Sequence, residues 1–182
     1  MRHFIAWTVL AALALTSFAE PRPFRERLRD GRPFLIGHRG RNVLRYGGKH
    51  RENTRESFHA AGRAGLQAIE TDVRLTADGA LVCTHDANLK RVFDVDLDVE
   101  KAAFAEVRKH PVPTFDEYLD VCARYDAVPF LETKGEARVV APVVDALRKR
   151  GLLKVAVLSS CDIAHIREAR RLDRDIFVHH IF

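Results

Sequence analysis

The chain has 182 residues, 47% of them hydrophobic and 30% charged, with a formal charge of +5 and no low-complexity tract. This balance excludes a disordered or collagen-like chain and makes one globular domain the default. The basic residues are scattered and not interleaved with aromatics, which argues against nucleic acid as a partner and suits an anionic substrate without requiring one.

Residues 1–19 differ in kind from the rest. A basic start, MRH, precedes the apolar run FIAWTVLAALALT, and Ser17-Phe18-Ala19 places small residues where a signal peptidase reads. The segment is expected to be a signal peptide cleaved after Ala19, sending the protein to a periplasm or out of the cell. A retained anchor fits less well, because a membrane span needs roughly 20 apolar residues, so no stable anchor is expected after cleavage. Residues 20–32, charged and proline-bearing, read as a lead-in ahead of a domain over 33–182. Cys83, Cys122 and Cys161 lack metal-site spacing and are expected to pack as small hydrophobes, two on strands and one on a helix.

From there strands and helices alternate. PFLIGHRG (33–40) reads as a strand and NTRESFHAAGRAG (53–65) as a helix capped near Asn53 or Thr54. LQAIETDVRL and ALVCTHD read as two strands around the turn ADG. TFDEYLDVCARY (114–125) carries a capping box, Thr114 with Glu117, and VPFLETKG follows as a strand. EARVVAPVVDALRKRG sets Val139, Val140, Val143, Val144 and Leu147 on one helical face and stops at Gly151. VAVLSS is a strand, IAHIREARRL a helix capped by Asp162, and DIFVHHIF a last strand. Alternation with strands apolar on both faces predicts a parallel α/β protein, either an open sheet or a closed barrel.

Parity along the strands locates the chemistry. His38 shares a face with Ile36 and Gly40; Glu70, Asp72 and Arg74 share another; His85 goes with Leu81 and Cys83, and Glu132 with Phe130 and Lys134. The polar member falls near the C-terminal end each time, where parallel strands converge on a ligand-binding mouth. Each residue has an ordinary explanation, a structural histidine or a surface ion pair, but their coincidence on four strands does not. Glu70, Asp72 and Glu132 offer hard oxygen ligands suited to Ca²⁺ or Mg²⁺. Arg39 and Lys134 would flank a bound phosphate, and His38 with His85 would serve as general acid and base. The set reads as metal-assisted phosphodiester hydrolysis.

The ordered motifs HRG (38–40), ENT (52–54) with Ser57-Phe58, IETDVRLTADG (69–79), HD (85–86) with Leu89 and Arg91, PTFDEYL (113–119) and LETK (131–134) resemble the glycerophosphodiester phosphodiesterase family. The resemblance runs from about residue 33 to Phe182. It implies a (β/α)₈ TIM barrel present through about strand six. It also implies His38 and His85 as the acid/base pair, Glu70, Asp72 and Glu132 as metal ligands, and Arg39 and Lys134 as phosphate contacts, with Glu52 and Asn53 in support. The implied substrate is a small glycerophosphodiester, cleaved to sn-glycerol 3-phosphate and an alcohol. Two departures stand out: RNVLRYGGKHR (41–51) is longer than usual, and the last barrel strands have no counterpart. The alternatives are a sphingomyelinase D-like phospholipase and an inactive fragment.

Overall fold

The structure, a computed structural model, describes residues 21–31, 33–41 and 50–182. The expected signal peptide and most of the 41–51 loop lie outside those residues. Among the described residues no helix is long and apolar enough to cross a membrane.

In chain order the elements are α1 (Phe24–Arg27), β1 (Ile36–Gly37), α2 (Arg55–Arg63), β2 (Ala68–Leu75), β3 (Leu81–Cys83), α3 (Lys90–Phe93), α4 (Phe104–Val107), α5 (Phe115–Arg124), β4 (Val128–Thr133), α6 (Val140–Lys149), β5 (Val157–Ser160), α7 (Ile163–Leu172) and β6 (Phe177–His180). Among the described residues six strands form one sheet: β1-β2-β4-β5-β6 run parallel in that order, and β3 pairs with β2 alone. The expected helices form at their predicted caps. Thr54 and Thr114 both close capping boxes, on α2 and α5, and the Asp162 side chain accepts the Ala164 N–H at the start of α7.

One strand corrects the sequence reading. β3 runs antiparallel to β2, pairing Val73 with Cys83 and Leu75 with Leu81. Alternation reports which face a side chain takes, not the direction of its strand, so parity could not separate the two. Connection length could have: a parallel crossover needs a dozen or more residues, and only Thr76–Ala80 intervene here. The Thr76 hydroxyl accepts the Ala80 N–H, and Gly79 takes φ +91 to close the turn. The hairpin carries the chain back, so that Thr84 N–H meets the Asp72 carbonyl and His85 returns to the mouth by a different route from the one expected.

The sheet has two unlike faces. Ile69, Val73, Leu131 and Leu158 point outward into the main core with Phe58 of α2, Tyr118 and Leu119 of α5, Val143 and Leu147 of α6 and Ala169 of α7. The opposite face is apolar at its N-terminal end, where Ala68, Val128 and Val157 cluster with Phe130 and Phe177, and acidic at its C-terminal end. Phe24 seals the apolar end. It is buried, packs edge-on against Phe34 and Phe177, and its N–H donates to the Lys154 carbonyl. The lead-in is therefore part of the fold rather than a tail ahead of it, because its one aromatic residue has an apolar floor to cover. Phe24→Ala is expected to cost roughly 3–5 kcal/mol, the usual loss for a buried phenylalanine, read as a lowered urea midpoint. A midpoint within error of the parent would return the segment to the status of a tail.

Candidate active site

β2 supplies the centre of the site. Glu70, Asp72 and Arg74 share the inner face, and the parallel register sets Asp72 of β2 directly beside Glu132 of β4. Carboxylate oxygens of Glu70, Asp72 and Glu132 lie within 4.8 Å of one another. All three residues are buried or nearly so, at 7%, 1% and 9% exposure, so water screens their repulsion poorly.

The cluster is only partly neutralised by side chains. Lys134 Nζ stands 2.7 Å from Glu132 Oε1 and 3.5 Å from Asp72 Oδ1. Desolvation works against the Glu132 charge, but the Lys134 hydrogen bond holds its carboxyl below the usual range. Glu70 has no such partner. Burial, and then the Asp72 charge, push its carboxyl up to about 8, although the Arg39 N–H donates to Glu70 Oε2 at 2.6 Å. Asp72 Oδ2 accepts from Asn53 Nδ2 at 2.9 Å, and Asn53 Oδ1 accepts from the Thr71 hydroxyl at 2.8 Å.

The HRG turn and the ENT segment lock together. Arg39 at φ 53 and Asn53 at φ 50 both adopt left-handed backbone, and the Asn53 N–H donates to the Arg39 carbonyl. Gly40, at φ +80, lies so close to α2 that an added Cβ would stand 2.7 Å from the Ser57 carbonyl carbon. The Arg39 guanidinium turns inward to Glu52, at 2.8 Å, and Asp72, at 3.5 Å, leaving Nε buried without a hydrogen bond. Glu52 also receives Arg91, whose Nε bonds Asp86 Oδ2. The supporting role predicted for Glu52 and Asn53 thus has a physical form: they hold Arg39 and Asp72 in place.

The two histidines differ. His38, exposed at the mouth, has Nε2 4.0 Å from Glu70 Oε2; its pKa is lowered by desolvation and then by Arg39, so the neutral imidazole is favoured. His85 Nδ1 lies 2.6 Å from Asp86 Oδ1. Desolvation opposes the Asp86 charge, but hydrogen bonds from Arg91 and His85 hold its carboxyl down to about 2. An ionised carboxylate only accepts, so His85 Nδ1 carries the proton and Nε2 is the atom left to exchange one.

The structure therefore brings His38, Arg39, Glu70, Asp72, Glu132 and Lys134 into one connected cluster, with His85 on the adjoining hairpin. Two features escaped sequence reasoning. Asp86 and Arg91 were legible as motif residues but not as the orienting pair behind His85. Cys161 is corrected: it is exposed one residue past β5, with its thiol 3.4 Å from Glu132 Oε1, because the Ser160 hydroxyl accepts the Asp162 N–H and turns the chain out of the strand. Cys83 and Cys122 are buried as expected, and all three thiols are free.

A model of the glycerophosphoryl diester phosphodiesterase family matches residues 38–137, more than half of the chain and the whole of the predicted residue set. The chain belongs to this family. It is 43% identical over 61 residues to a Mycobacterium tuberculosis protein named "Probable glycerophosphodiester phosphodiesterase 1", covering 34% of this chain and 20% of that protein. A second M. tuberculosis member, "Probable glycerophosphodiester phosphodiesterase 2", is 28% identical over 156 residues, 82% of this chain and 56% of the relative. Among solved structures, an Oleispira antarctica phosphodiesterase in complex with the product sn-glycerol-3-phosphate superposes with a TM-score of 0.70 at 28% identity, over 80% of this chain and 64% of that one. The chain thus spans about half the length of the longer-matching curated relative and under two thirds of the solved one. As a family member, its parallel strands and outer helices form part of a (β/α)₈ barrel, and its acidic cluster lies where that fold places its ligands.

Proposed function

We propose that this glycerophosphodiester phosphodiesterase homologue hydrolyses small glycerophosphodiesters to sn-glycerol 3-phosphate and an alcohol. The observation that carries the proposal is the gathering of Glu70, Asp72 and Glu132 within 4.8 Å at the strand ends beside His38.

The donor set fits a divalent cation. Two oxygens sharing one Ca²⁺ at 2.3–2.6 Å lie no more than about 5 Å apart, and the three carboxylates fall within that limit. The charge on Glu70, suppressed by burial and Asp72, is the deficit such an ion would fill. Glu70, Asp72 and Glu132 would hold it, and when bound it would polarise a phosphoryl oxygen.

This chain's own residues do the rest. Arg39 and Lys134 orient the phosphodiester by charge. His38, favoured as the neutral imidazole, removes a proton from the attacking hydroxyl, either that of water or that of the neighbouring glycerol carbon, in which case water then opens the resulting cyclic phosphate to glycerol 3-phosphate. His85 Nε2, its tautomer fixed by Asp86, donates a proton to the departing alkoxide as the P–O bond breaks. The pattern of residues 1–19 supports export as the setting.

The test is release of glycerol 3-phosphate from glycerophosphocholine, with Ca²⁺ or Mg²⁺ and after chelation. Turnover is expected only with metal, falling at least about 100-fold with chelator. Equal rates in both conditions would refute the metal role, and turnover confined to sphingomyelin or a lysophospholipid would move the assignment to a phospholipase of the sphingomyelinase D type.

A further inference from the structure

Arg74 is the third inward residue of β2, after Glu70 and Asp72, and the proposed reaction leaves it without a task. Its side chain is only 13% exposed. Nε and Nη2 both donate to one acceptor, the His85 backbone carbonyl, at 2.9 and 2.7 Å. Nη1 bonds Glu100 Oε1 in the segment between α3 and α4. That segment is backed by Gly135, which follows Lys134 and takes φ +78. A Cβ on Gly135 would lie 2.3 Å from Glu100 Oε1, and the positive φ itself favours glycine there.

The clamp falls just beyond the end of the β2–β3 ladder. The β2–β3 ladder ends at Cys83, and the last backbone tie before His85 is Thr84 N–H to the Asp72 carbonyl. Asp86 fixes how the imidazole turns about its own bonds, and its own anchor runs through Arg91 to Glu52 rather than to β2. Arg74 ties the turn to β2, because it stands on the strand that carries Glu70 and Asp72 and reaches the turn with a rigid two-pronged fork.

We propose that Arg74, held by Glu100, is a positioning residue for His85: it registers the proton-donating Nε2 against the carboxylate cluster by gripping the His85 carbonyl. This rests on the reading of His85 as the general acid. A misplacement on the order of 1 Å costs proton transfer about 100-fold, while substrate binding through Arg39 and Lys134 is untouched.

The experiment compares two substrates on the full chain with metal present. Glycerophosphocholine loses an alkoxide that needs a proton, whereas the p-nitrophenyl ester of glycerol 3-phosphate loses a phenolate that does not. Arg74→Met is expected to lower kcat on the choline ester by about 10–100-fold, with KM unchanged and the p-nitrophenyl ester slowed less than about threefold. Arg74→Lys should fall between, since one ammonium cannot reproduce the fork. Glu100→Gln, which keeps the guanidinium but weakens its hold, should show the same bias in smaller measure, and it carries the test if Arg74→Met does not fold. Equal slowing of both substrates, or of neither, overturns the proposal. His85→Ala serves as the reference. If it too slows both esters equally, the acid assignment fails and takes this inference with it; if it shows the leaving-group bias and the Arg74 variants do not, only the positioning role falls.

Discussion

Glu70→Gln is expected to make the metal-free protein more stable at pH 8 while abolishing metal-dependent turnover. In the folded chain the Glu70 carboxyl titrates at about 8, against an ordinary 4.5, because burial and Asp72 disfavour its charge. Between those two values the native state keeps a proton that the unfolded chain has lost. The unfolded state therefore binds fewer protons, and unfolding free energy falls as pH rises from about 4.5 to about 8, then levels off. At about 1.4 kcal/mol per pH unit the loss is roughly 3–5 kcal/mol. Glutamine removes that slope and still accepts the Arg39 N–H, so the two proteins should melt together near pH 4 and diverge towards pH 8. Saturating Ca²⁺ or Mg²⁺ should narrow that gap, adding about 2.7 kcal/mol to the parent at 100 times Kd and little to the variant. Chelated urea melts at pH 4, 6 and 8 check this. A variant less stable than the parent at pH 8 would make the acidic pair structural and remove the metal reading.

His38→Ala and His85→Ala are each expected to lower kcat by about 100–10,000-fold, the span for a lost general acid or base, with KM within a few-fold. The double variant should be little worse than the more damaging single one, since groups that act on one transition state do not contribute additively. Thermal midpoints should barely move: His38 is exposed, and after loss of His85 the Asp86 carboxylate keeps Arg91. For the parent, the pH dependence should place the base limb of His38 below 6.5, because desolvation and Arg39 lower its pKa; activity rises along that limb with increasing pH. Steady-state rates from pH 5 to 9 test both points. More than a tenth of parental kcat in either single variant would remove that histidine from the chemistry.

Much of this was legible in the residues because strand parity and cap chemistry are local. Glu70 and Asp72 share a face by alternation alone, and Thr114 announces α5 through Glu117 three residues on. Non-local facts were not legible. Nothing in Asp72 or Glu132 shows that register will set them side by side, nor that Arg91 will reach across to Glu52. β3 was misdirected because period two is the same in both strand senses, and the lead-in was undervalued because one Phe24 among charges gives no periodic signal. Cys161 was read as core because VAVLSS gives no sign that the strand stops one residue short of it.

The hairpin has a consequence for how the site is assembled. Glu70, Asp72 and His85 lie within a single local excursion of the chain, closed by the five-residue turn Thr76–Ala80, so two acids and one imidazole are brought together at small entropic expense. Glu132 arrives only when β4 docks along β2, across the whole of α3, α4 and α5. A cation held by all three carboxylates would therefore bind only the docked state. Occupancy of the seat becomes a reporter of long-range sheet assembly, and the cation a latch on the slowest strand pairing of the site.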